Sequence, residues 1–288
     1  NKNSVKALTG EAVQLYEARF GFNQNTHRIA VGEPLGQFYG YITEGLYQVD
    51  DFNYDASTQT YTLKDGIPYH GDKGRIRPGM WKFKNLTGDD NVIDENDKTV
   101  IGNAQPKFYG GLNNSFTYKG FDLSIFLTFS YGNEVLNATK LVTSKVGSLN
   151  YNALDVMNSS NRWMTINSDG QKVTDPGELS ALNAGKTVAA YHDAQQGDNY
   201  IHSWAVEDAS YLKLSNVTLG YTFPKNLIAR VGLKNLRLYA TGNNLLTWTK
   251  YSGFDPEVST MKSGLTPGVD FGAYPLSRSF IFGLNVAF

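Results

Sequence analysis

Residues 278–288 alternate between large apolar side chains and small or polar ones, and this pattern constrains the fold more than any other feature of the chain. One face carries Phe280, Phe282, Leu284, Val286 and Phe288, while the other carries small or polar residues apart from Ile281. A β-strand that crosses a bilayer at a tilt needs about ten residues with this alternation. Because a strand of a soluble β-sandwich would look similar, the prediction depends on whether the pattern recurs.

The same alternation recurs along the chain and predicts an antiparallel sheet. The predicted strands span 106–118, 120–131, 208–223, 235–246 and 278–288, and a further strand is expected near 1–8. Lys119 and Gly120 are expected to form a tight turn. One face of the sheet should contact lipid, through Leu123, Ile125, Leu127, Phe129, Phe280, Phe282, Leu284 and Val286. The other face should line a polar lumen, through Asp122, Ser124, Arg237, Tyr239, Thr241 and Asn285.

The connections between these strands alternate in length, which is typical of a membrane barrel. The segment 224–234 is short, whereas 132–207 and 247–277 are long. Outer-membrane barrels have short periplasmic turns and long extracellular loops. If the last strand ends at the periplasmic rim, 8–105, 132–207 and 247–277 are all extracellular. The predicted fold class is therefore all-β, an antiparallel transmembrane β-barrel with long extracellular loops and a single domain over 1–288.

Composition excludes several classes of protein. The 26 basic and 27 acidic residues give a net charge of −1, so no basic patch predicts nucleic-acid binding. There is no cysteine for a disulfide or a cysteine metal site. The histidines at 27, 70, 192 and 202 lack metal-ligand spacing and are expected to be solvent or loop residues. No nucleophile elbow, P-loop or dinucleotide motif is present, so we expect no enzymatic activity.

Several short segments resemble, in order, the later part of the SusC/RagA-type TonB-dependent outer-membrane transporters. They are residues 32–41 (GEPLGQFYGY), 44–48 (EGLYQ), 92–102 (VIDENDKTVIG), 106–111 (PKFYGG), 211–221 (YLKLSNVTLGY), 240–245 (ATGNNL) and the aromatic end of the chain. Each segment alone is a weak match, but the ordered set covers nearly the whole chain. This resemblance implies the closing strands of a 22-stranded barrel.

The resemblance also implies a function and partners. The barrel would import glycans or peptides across the outer membrane of a Gram-negative bacterium, with a SusD-like surface lipoprotein as its lid. TonB would act through a plug and a TonB box that this chain does not contain, and the rest of the barrel would complete the wall. Two alternatives stay open: a soluble secreted β-sandwich that binds carbohydrate, and a structural outer-membrane barrel subunit of a larger assembly.

Residues 85–97 resemble a calcium-binding loop found at this place in the family. Carboxylates at alternating positions suit a hard cation, and the candidate ligands are Asp89, Asp90, Asp94 and Asp97. The alternative is an acidic turn closed by its own Asx side chains. A structural calcium is therefore one of two interpretations, and no other cofactor is expected.

Aromatic residues of the long connections form a second candidate site. Tyrosine and tryptophan combine an apolar face with a polar group, which suits stacking on sugars or peptides. The candidates for ligand or partner contact are Phe38, Tyr39, Tyr41, Tyr47 and Trp81. The alternative for this set is packing within the loops.

Phe288 is the last candidate. The resemblance implies that an aromatic residue ending an amphipathic strand is part of the signal read by the barrel-assembly machinery. An unpaired strand presents a free edge until it pairs. The alternative is that Phe288 is only the final core residue of a soluble sheet.

Overall fold

A computed structural model describes residues 2–10, 12–17, 24–88, 90–144, 152–190, 200–260 and 263–288. The strands of these residues are β1 (Val13–Glu17), β2 (Asn25–Ala30), β3 (Gln37–Gly40), β4 (Thr43–Leu46), β5 (Phe52–Asp55), β6 (Thr60–Leu63), β7 (Tyr69–His70), β8 (Trp81–Phe83), β9 (Val92–Ile93), β10 (Thr99–Asn103), β11 (Phe108–Tyr118), β12 (Phe121–Tyr131), β13 (Glu134–Asn137), β14 (Val206–Asp208), β15 (Tyr211–Thr222), β16 (Asn235–Thr249), β17 (Val269–Asp270) and β18 (Ser279–Ala287). The α-helices are α1 (Ala138–Thr143), α2 (Pro176–Leu182) and α3 (Lys225–Ile228). Short 3-10 turns occupy Val49–Asp51, Lys73–Arg75, Glu95–Asp97, Asp155–Met157, Ser203–Ala205 and Ala229–Val231.

The all-β prediction is confirmed, because strands dominate and the helices are short. Within the described ranges, no helix is both long enough and apolar enough to cross a membrane.

Five long strands form one antiparallel sheet in the order β11-β12-β15-β16-β18. Lys119 and Gly120 both have positive φ, of 45° and 88°, and connect β11 to β12 in a two-residue turn. Two consecutive left-handed residues match the twist of a β-hairpin, which explains the tight connection. β16 continues three residues beyond the predicted end at 246, after a register irregularity near Asn244, whose φ is 51°.

Cross-strand register gives this sheet one apolar face. Residues directly opposite each other share a face, and the apolar side chains line up strand after strand. One such row is Phe116, Leu123, Leu219, Ala240 and Phe282. Phe116 is 57% exposed and Phe282 is 81% exposed. An apolar face of this extent, uncovered by protein, needs an apolar surrounding.

Aromatic residues border this apolar face at both ends. Phe108 pairs with Tyr131 at the end near the long connections, and Phe121 pairs with Tyr118 and Tyr221 at the other. At about 3.3 Å per residue and a tilt of about 45°, an 11-residue strand such as β11 spans about 25 Å of membrane. This height matches the apolar band of outer-membrane barrels, which is also about 25 Å and flanked by aromatic girdles.

Apart from the short connection 223–234, the described residues outside the sheet, in 2–107, 132–210 and 250–278, fold together, and we call them the loop body. It contains a four-stranded sheet (β1-β2-β3-β10), a three-stranded sheet (β14-β13-β17) and the two-stranded pairs β4-β8, β5-β6 and β7-β9. Its hydrophobic cores lie around Trp163 and Phe83, around Phe38 and Leu136, around Tyr47 and Ile76, and around Val135 and Tyr251. The long connections are therefore packed structure rather than irregular loops.

The predicted strand near 1–8 is wrong for the described residues 2–8. There Val5 forms a single bridge to Val31, through hydrogen bonds with Glu33 and Gly32. The Asn3 side chain accepts a hydrogen bond from the backbone of Leu35 at 2.9 Å. The segment is too polar to supply an alternating apolar face, so it is held against the loop body instead.

Candidate functional site

The polar face of the five-stranded sheet carries a ladder of hydroxyl and amide side chains. Thr218 and Thr241 are joined across β15 and β16 at 2.8 Å, and Asn216 donates to Asn243 at 2.7 Å. Ser124 reaches Asn113 at 3.2 Å on the neighbouring strands. Predicted residues Ser124 and Thr241 thus lie on one hydrogen-bonded face. The large apolar exceptions on this face are Phe126 and Ile281, which stand opposite Asn216 and Thr241.

Asp122 and Arg237 form an ion pair on this polar face. The Arg237 guanidinium donates to Asp122 Oδ1 at 3.0 Å and to Oδ2 at 2.5 Å. The pair spans two strand spacings, because Asp122 lies on β12, Arg237 on β16, and Gly220 of β15 between them. Both side chains are partly exposed, so water screens the pair and its contribution to stability is modest.

Tyr239 and Asn285 complete the predicted polar set. The Tyr239 ring lies 5.0 Å from the Arg237 guanidinium carbon and covers Gly283 on the neighbouring strand β18. Asn285 stands directly opposite Arg237 and is exposed. All six predicted polar residues therefore occupy one face of one sheet. Their orientation toward a lumen stays a prediction.

Sequence reasoning missed a second charged group on the same face, near the loop body. Lys213 of β15 is only 4% exposed and pairs with Glu257 at 2.5 Å. The Tyr211 hydroxyl donates to the other Glu257 oxygen at 2.7 Å. Glu257 belongs to the segment after β16, so this segment folds back across the polar face. A lysine within a strand, at a position whose neighbours alternate apolar and polar, was the one sequence indication.

A cavity of mixed polar and apolar lining lies beside this ion pair. Its volume is about 320 Å³, and Ser130, Glu134, Tyr211, Glu257 and Pro267 are among its lining residues. It is bounded by strands of the sheet on one side and by the segment after β16 on the other. The cavity therefore lies where the polar face of the sheet meets the loop body.

The structure contradicts the predicted aromatic contact surface. Phe38, Tyr41, Tyr47 and Trp81 are all buried in the loop body, and only Tyr39 is partly exposed. They are packing residues, which is the alternative that the sequence left open.

Close packing explains why these aromatics are buried. Tyr41 stacks on Phe83 at 5.3 Å, and the Tyr47 hydroxyl donates to the Pro68 carbonyl at 2.7 Å. Gly40 allows the chain to approach closely, because a Cβ there would overlap the Ile201 carbonyl. Burial raises the pKa of both tyrosine hydroxyls, so they remain neutral hydrogen-bonding groups.

The acidic segment 85–97 forms a turn closed by its own carboxylates. Asp97 is fully buried, and its oxygens accept from the backbone amides of Leu86, Thr87 and Asp94 at 2.6–2.9 Å. Burial opposes ionisation of Asp97, but these hydrogen bonds outweigh it and lower its pKa. Asp94 accepts from the Asn96 amide.

This arrangement leaves little room for a cation. Asp90 accepts from the amide of Val92, and the Asp97 oxygens are already surrounded by amide donors. The described residues contain no group of three or more acidic or histidine side chains that could hold a metal. Asp89 lies outside the described residues. Those residues favour the Asx-capped turn, and a calcium site stays a prediction.

Three histidines lie in the long connections, which is one of the two expected alternatives, but they are buried rather than facing solvent. His27 contacts Thr26 at 2.8 Å and the Pro267 carbonyl at 2.9 Å, and His202 contacts Thr43 at 2.8 Å. Both His70 ring nitrogens lack a hydrogen-bond partner, and the ring lies among Tyr47, Phe83 and Tyr200. Burial lowers the pKa of His70 to about 4. The fourth, His192, lies outside the described residues.

Phe288 follows β18 directly and is 82% exposed. It contributes little packing to the described residues, so the structure gives it no core role here.

Comparison with known proteins places the chain. It is 32% identical over its whole length to TonB-dependent receptor P3 of Formosa agariphila and 31% identical to TonB-dependent receptor P39 of the same organism. Over 76% of its length it is 28% identical to TonB-dependent receptor SusC of Bacteroides thetaiotaomicron. Over its whole length the chain is a homologue of TonB-dependent receptors, and over most of it a homologue of SusC. No family model matches it.

Solved structures agree with this SusC/RagA-type fold. The RagAB peptide transporter superposes on 99% of the chain with a TM-score of 0.63 at 21% identity, and the chain covers 25% of that protein. The RagAB peptide importer in its open-open state matches equally well, with a TM-score of 0.63. The chain spans about a quarter of the length of the curated relatives P3 and P39. The five-stranded sheet is accordingly a section of a β-barrel wall.

Proposed function

We propose that this chain forms part of the wall and the outer mouth of a nutrient importer in the outer membrane of a Gram-negative bacterium. The observation that carries the proposal is the five-stranded sheet, which is apolar on one face, polar on the other, and bordered by aromatics at both ends. That arrangement suits a wall between lipid and a polar lumen. The similarity to TonB-dependent receptors supplies the link to import.

The proposed cargo is a glycan or a peptide. One relative is SusC, and one structural match is the RagAB peptide transporter. The polar face suits either class, because its ladder offers neutral hydroxyl and amide groups as both donors and acceptors. Neutral hydrogen-bonding groups hold polar cargo weakly enough for it to leave.

The proposed partners are a SusD-like surface lipoprotein and TonB. The lipoprotein would dock on the loop body, whose packed cores give a rigid platform outside the membrane. TonB would act through parts of the protein that lie outside this chain. Cargo would bind between the loop body and the lipoprotein, and TonB would then open the lumen. No bond in the cargo is made or broken.

Membrane extraction tests the location. We expect the intact protein to stay in the membrane fraction through washes with high salt and with carbonate, and to be released by detergent. Release by salt or carbonate alone would favour the soluble carbohydrate-binding sandwich and reject the barrel.

Uptake tests the activity. Cells that lack the gene, with and without a plasmid copy, are supplied with labelled oligosaccharides or labelled peptides as sole nutrient. We expect one class to be taken up only with the plasmid copy and with functional TonB. A protein found in the outer membrane whose loss changes neither uptake would instead be the structural subunit.

A further inference from the structure

Apolar alternation determines which face of a strand meets lipid, but it does not determine register. Because the pattern repeats every two residues, sliding β18 by two residues along β16 would keep Phe280, Phe282 and Leu284 on the apolar face. Some other feature must select the observed register.

The turn chemistry selects the register in only part of the sheet. The two-residue turn at 119–120 sets the pairing of β11 with β12. By contrast, β12 reaches β15 through residues 132–210, and β16 reaches β18 through residues 250–278. Connections of this length set no register through the geometry of a tight turn, so another feature must contribute to the register of these two pairings.

Tyr239 and Gly283 provide a selector for the pairing of β16 with β18. They are directly opposite each other, and a Cβ built on Gly283 would overlap the Tyr239 ring. A two-residue slip would place Ile281 or Asn285 beneath the ring instead. Gly283 is the residue on the polar face of β18 that has no side chain. The Tyr239 ring therefore fits against β18 in the observed register and not after a two-residue slip.

The second selector acts on β12, β15 and β16 and consists of Asp122, Gly220 and Arg237. Gly220 is directly opposite Asp122, and a Cβ there would overlap both the Asp122 carboxylate and the Arg237 guanidinium. A two-residue slip of β12 on β15 would place Thr218 or Thr222 beneath the ion pair. The two selectors are linked, because the Arg237 guanidinium lies 5.0 Å from the Tyr239 ring.

We propose that Asp122, Gly220, Arg237, Tyr239 and Gly283 form a register key that selects one pairing among the face-preserving slips of β12, β15, β16 and β18. In each half of the key, a glycine leaves room for a large side chain on the polar face of the sheet. No tight turn sets the register of the strands that form these contacts. The key acts on assembly of the wall, so it holds or fails independently of cargo and uptake.

Disulfide formation in the intact protein measures the register directly. This chain has no cysteine, so none of its own residues can form a competing disulfide. Thr241→Cys with Ile281→Cys reports the observed register, since the two residues are directly opposite. Thr241→Cys with Ser279→Cys reports one slip, and Asn243→Cys with Ile281→Cys reports the other. Diagonal neighbours lie about 7–8 Å apart and do not form a disulfide.

The decisive variant is Gly283→Val. We expect it to remove most of the observed-register disulfide, either through a slipped register or through failed assembly. Adding Tyr239→Ala removes the ring and should restore that disulfide. Ala287→Val is the matched control, since it enlarges the same face of β18 outside the key and should leave the disulfide unchanged.

Three results would overturn the proposal: Gly283→Val with a wild-type yield of the observed-register disulfide, a loss that Tyr239→Ala does not reverse, or an equal loss in Ala287→Val. For the other half of the key, Ser124→Cys with Thr218→Cys reports the pairing of β12 with β15. Gly220→Val should reduce that disulfide, and Asp122→Ala should restore it. No reduction by Gly220→Val would remove this half from the key.

Discussion

The five-stranded sheet and the loop body are built on opposite principles, although one chain forms both. The sheet exposes large apolar side chains, such as Phe282 at 81% and Phe116 at 57%, and buries few of them. The loop body buries Trp163, Phe83 and Leu136 almost completely, as a soluble protein does. The comparison teaches that the sheet depends on lipid and on neighbouring strands for its stability, whereas the loop body carries its own cores.

Loss of Phe288 should give the largest effect, and this effect should arise in the sheet. We predict that Phe288→Ser in the intact protein removes most of it from the outer membrane, because we expect the exposed aromatic at the end of β18 to act in assembly of the wall. Outer-membrane abundance is measured by fractionation and immunoblotting. Tyr274→Ser is the control, an aromatic 91% exposed in the loop body. Normal abundance of Phe288→Ser would show that this residue has no assembly role.

Truncation of Trp163 should do the reverse, by breaking the loop body and sparing the sheet. Trp163 is 1% exposed and packs on Gly79, so Trp163→Ala should destabilise the loop body by about 3–5 kcal/mol. Limited proteolysis of whole cells should cleave the loop body faster, while the protein stays in the membrane. Ile166→Ala, a control at a residue 47% exposed, should leave the cleavage rate unchanged. Loss of the protein from the membrane would show that the two regions do not fold separately.

Arginine on neighbouring residues of β12 should distinguish the faces of the sheet. Leu127→Arg places a charge on the apolar face near mid-membrane and should cost about 2–4 kcal/mol. Thr128→Arg points to the polar face and should be mild, apart from the lost contact with Ser215. Unfolding in detergent or lipid by urea measures both. Equal destabilisation would show that the faces have been assigned the wrong way.

Acid should weaken the loop body and leave the sheet intact, with the smallest effect per residue of this series. The pKa of His70 is lowered from 6.5 to about 4 by burial. Stability from the neutral ring is complete above pH 6.5 and is lost as pH falls toward 4. At pH 5 the loss is about 2 kcal/mol, from about 1.4 kcal/mol per pKa unit. His27, with a similarly lowered pKa, should add its own loss.

The histidine prediction can be checked by substitution. In His70→Phe the proteolysis rate of the loop body should rise less between pH 7 and pH 5 than in the wild type. An unchanged pH dependence would assign the acid sensitivity to other groups.

The amino-acid sequence predicted the sheet far better than the loop body, for a physical reason. The alternation of strand β12 can be recognised in the sequence because its two faces meet different surroundings, which imposes a period of two with Phe126 as the exception. The order of strands follows from short turns and antiparallel parity. Register does not follow, because Gly220 and Gly283 read as ordinary small residues until their partners are known.

Burial in the loop body depends on contacts between distant residues, which a local pattern does not contain. Tyr41 hydrogen-bonds through its backbone to Ile201 and Ser203, and Gly40 is required by Ile201. Without that contact, an aromatic cluster between glycines looks like a ligand surface. Asp97 is equally hard to interpret from a local pattern, because its carboxylate accepts hydrogen bonds from backbone amides up to eleven residues away.

The long connections are joined to one another by hydrogen bonds, most of them between backbone groups. Tyr41 binds Ile201, Leu136 binds the Gly268 carbonyl, and the His27 ring binds the Pro267 carbonyl, so each connection is tied to the other two. Because the three connections are linked pairwise, none of them can shift without the other two. A force on any one connection is therefore transmitted to the other two and to the hydrogen-bonded strands β12, β15 and β16. The loop body accordingly moves as one rigid unit rather than as three separate loops.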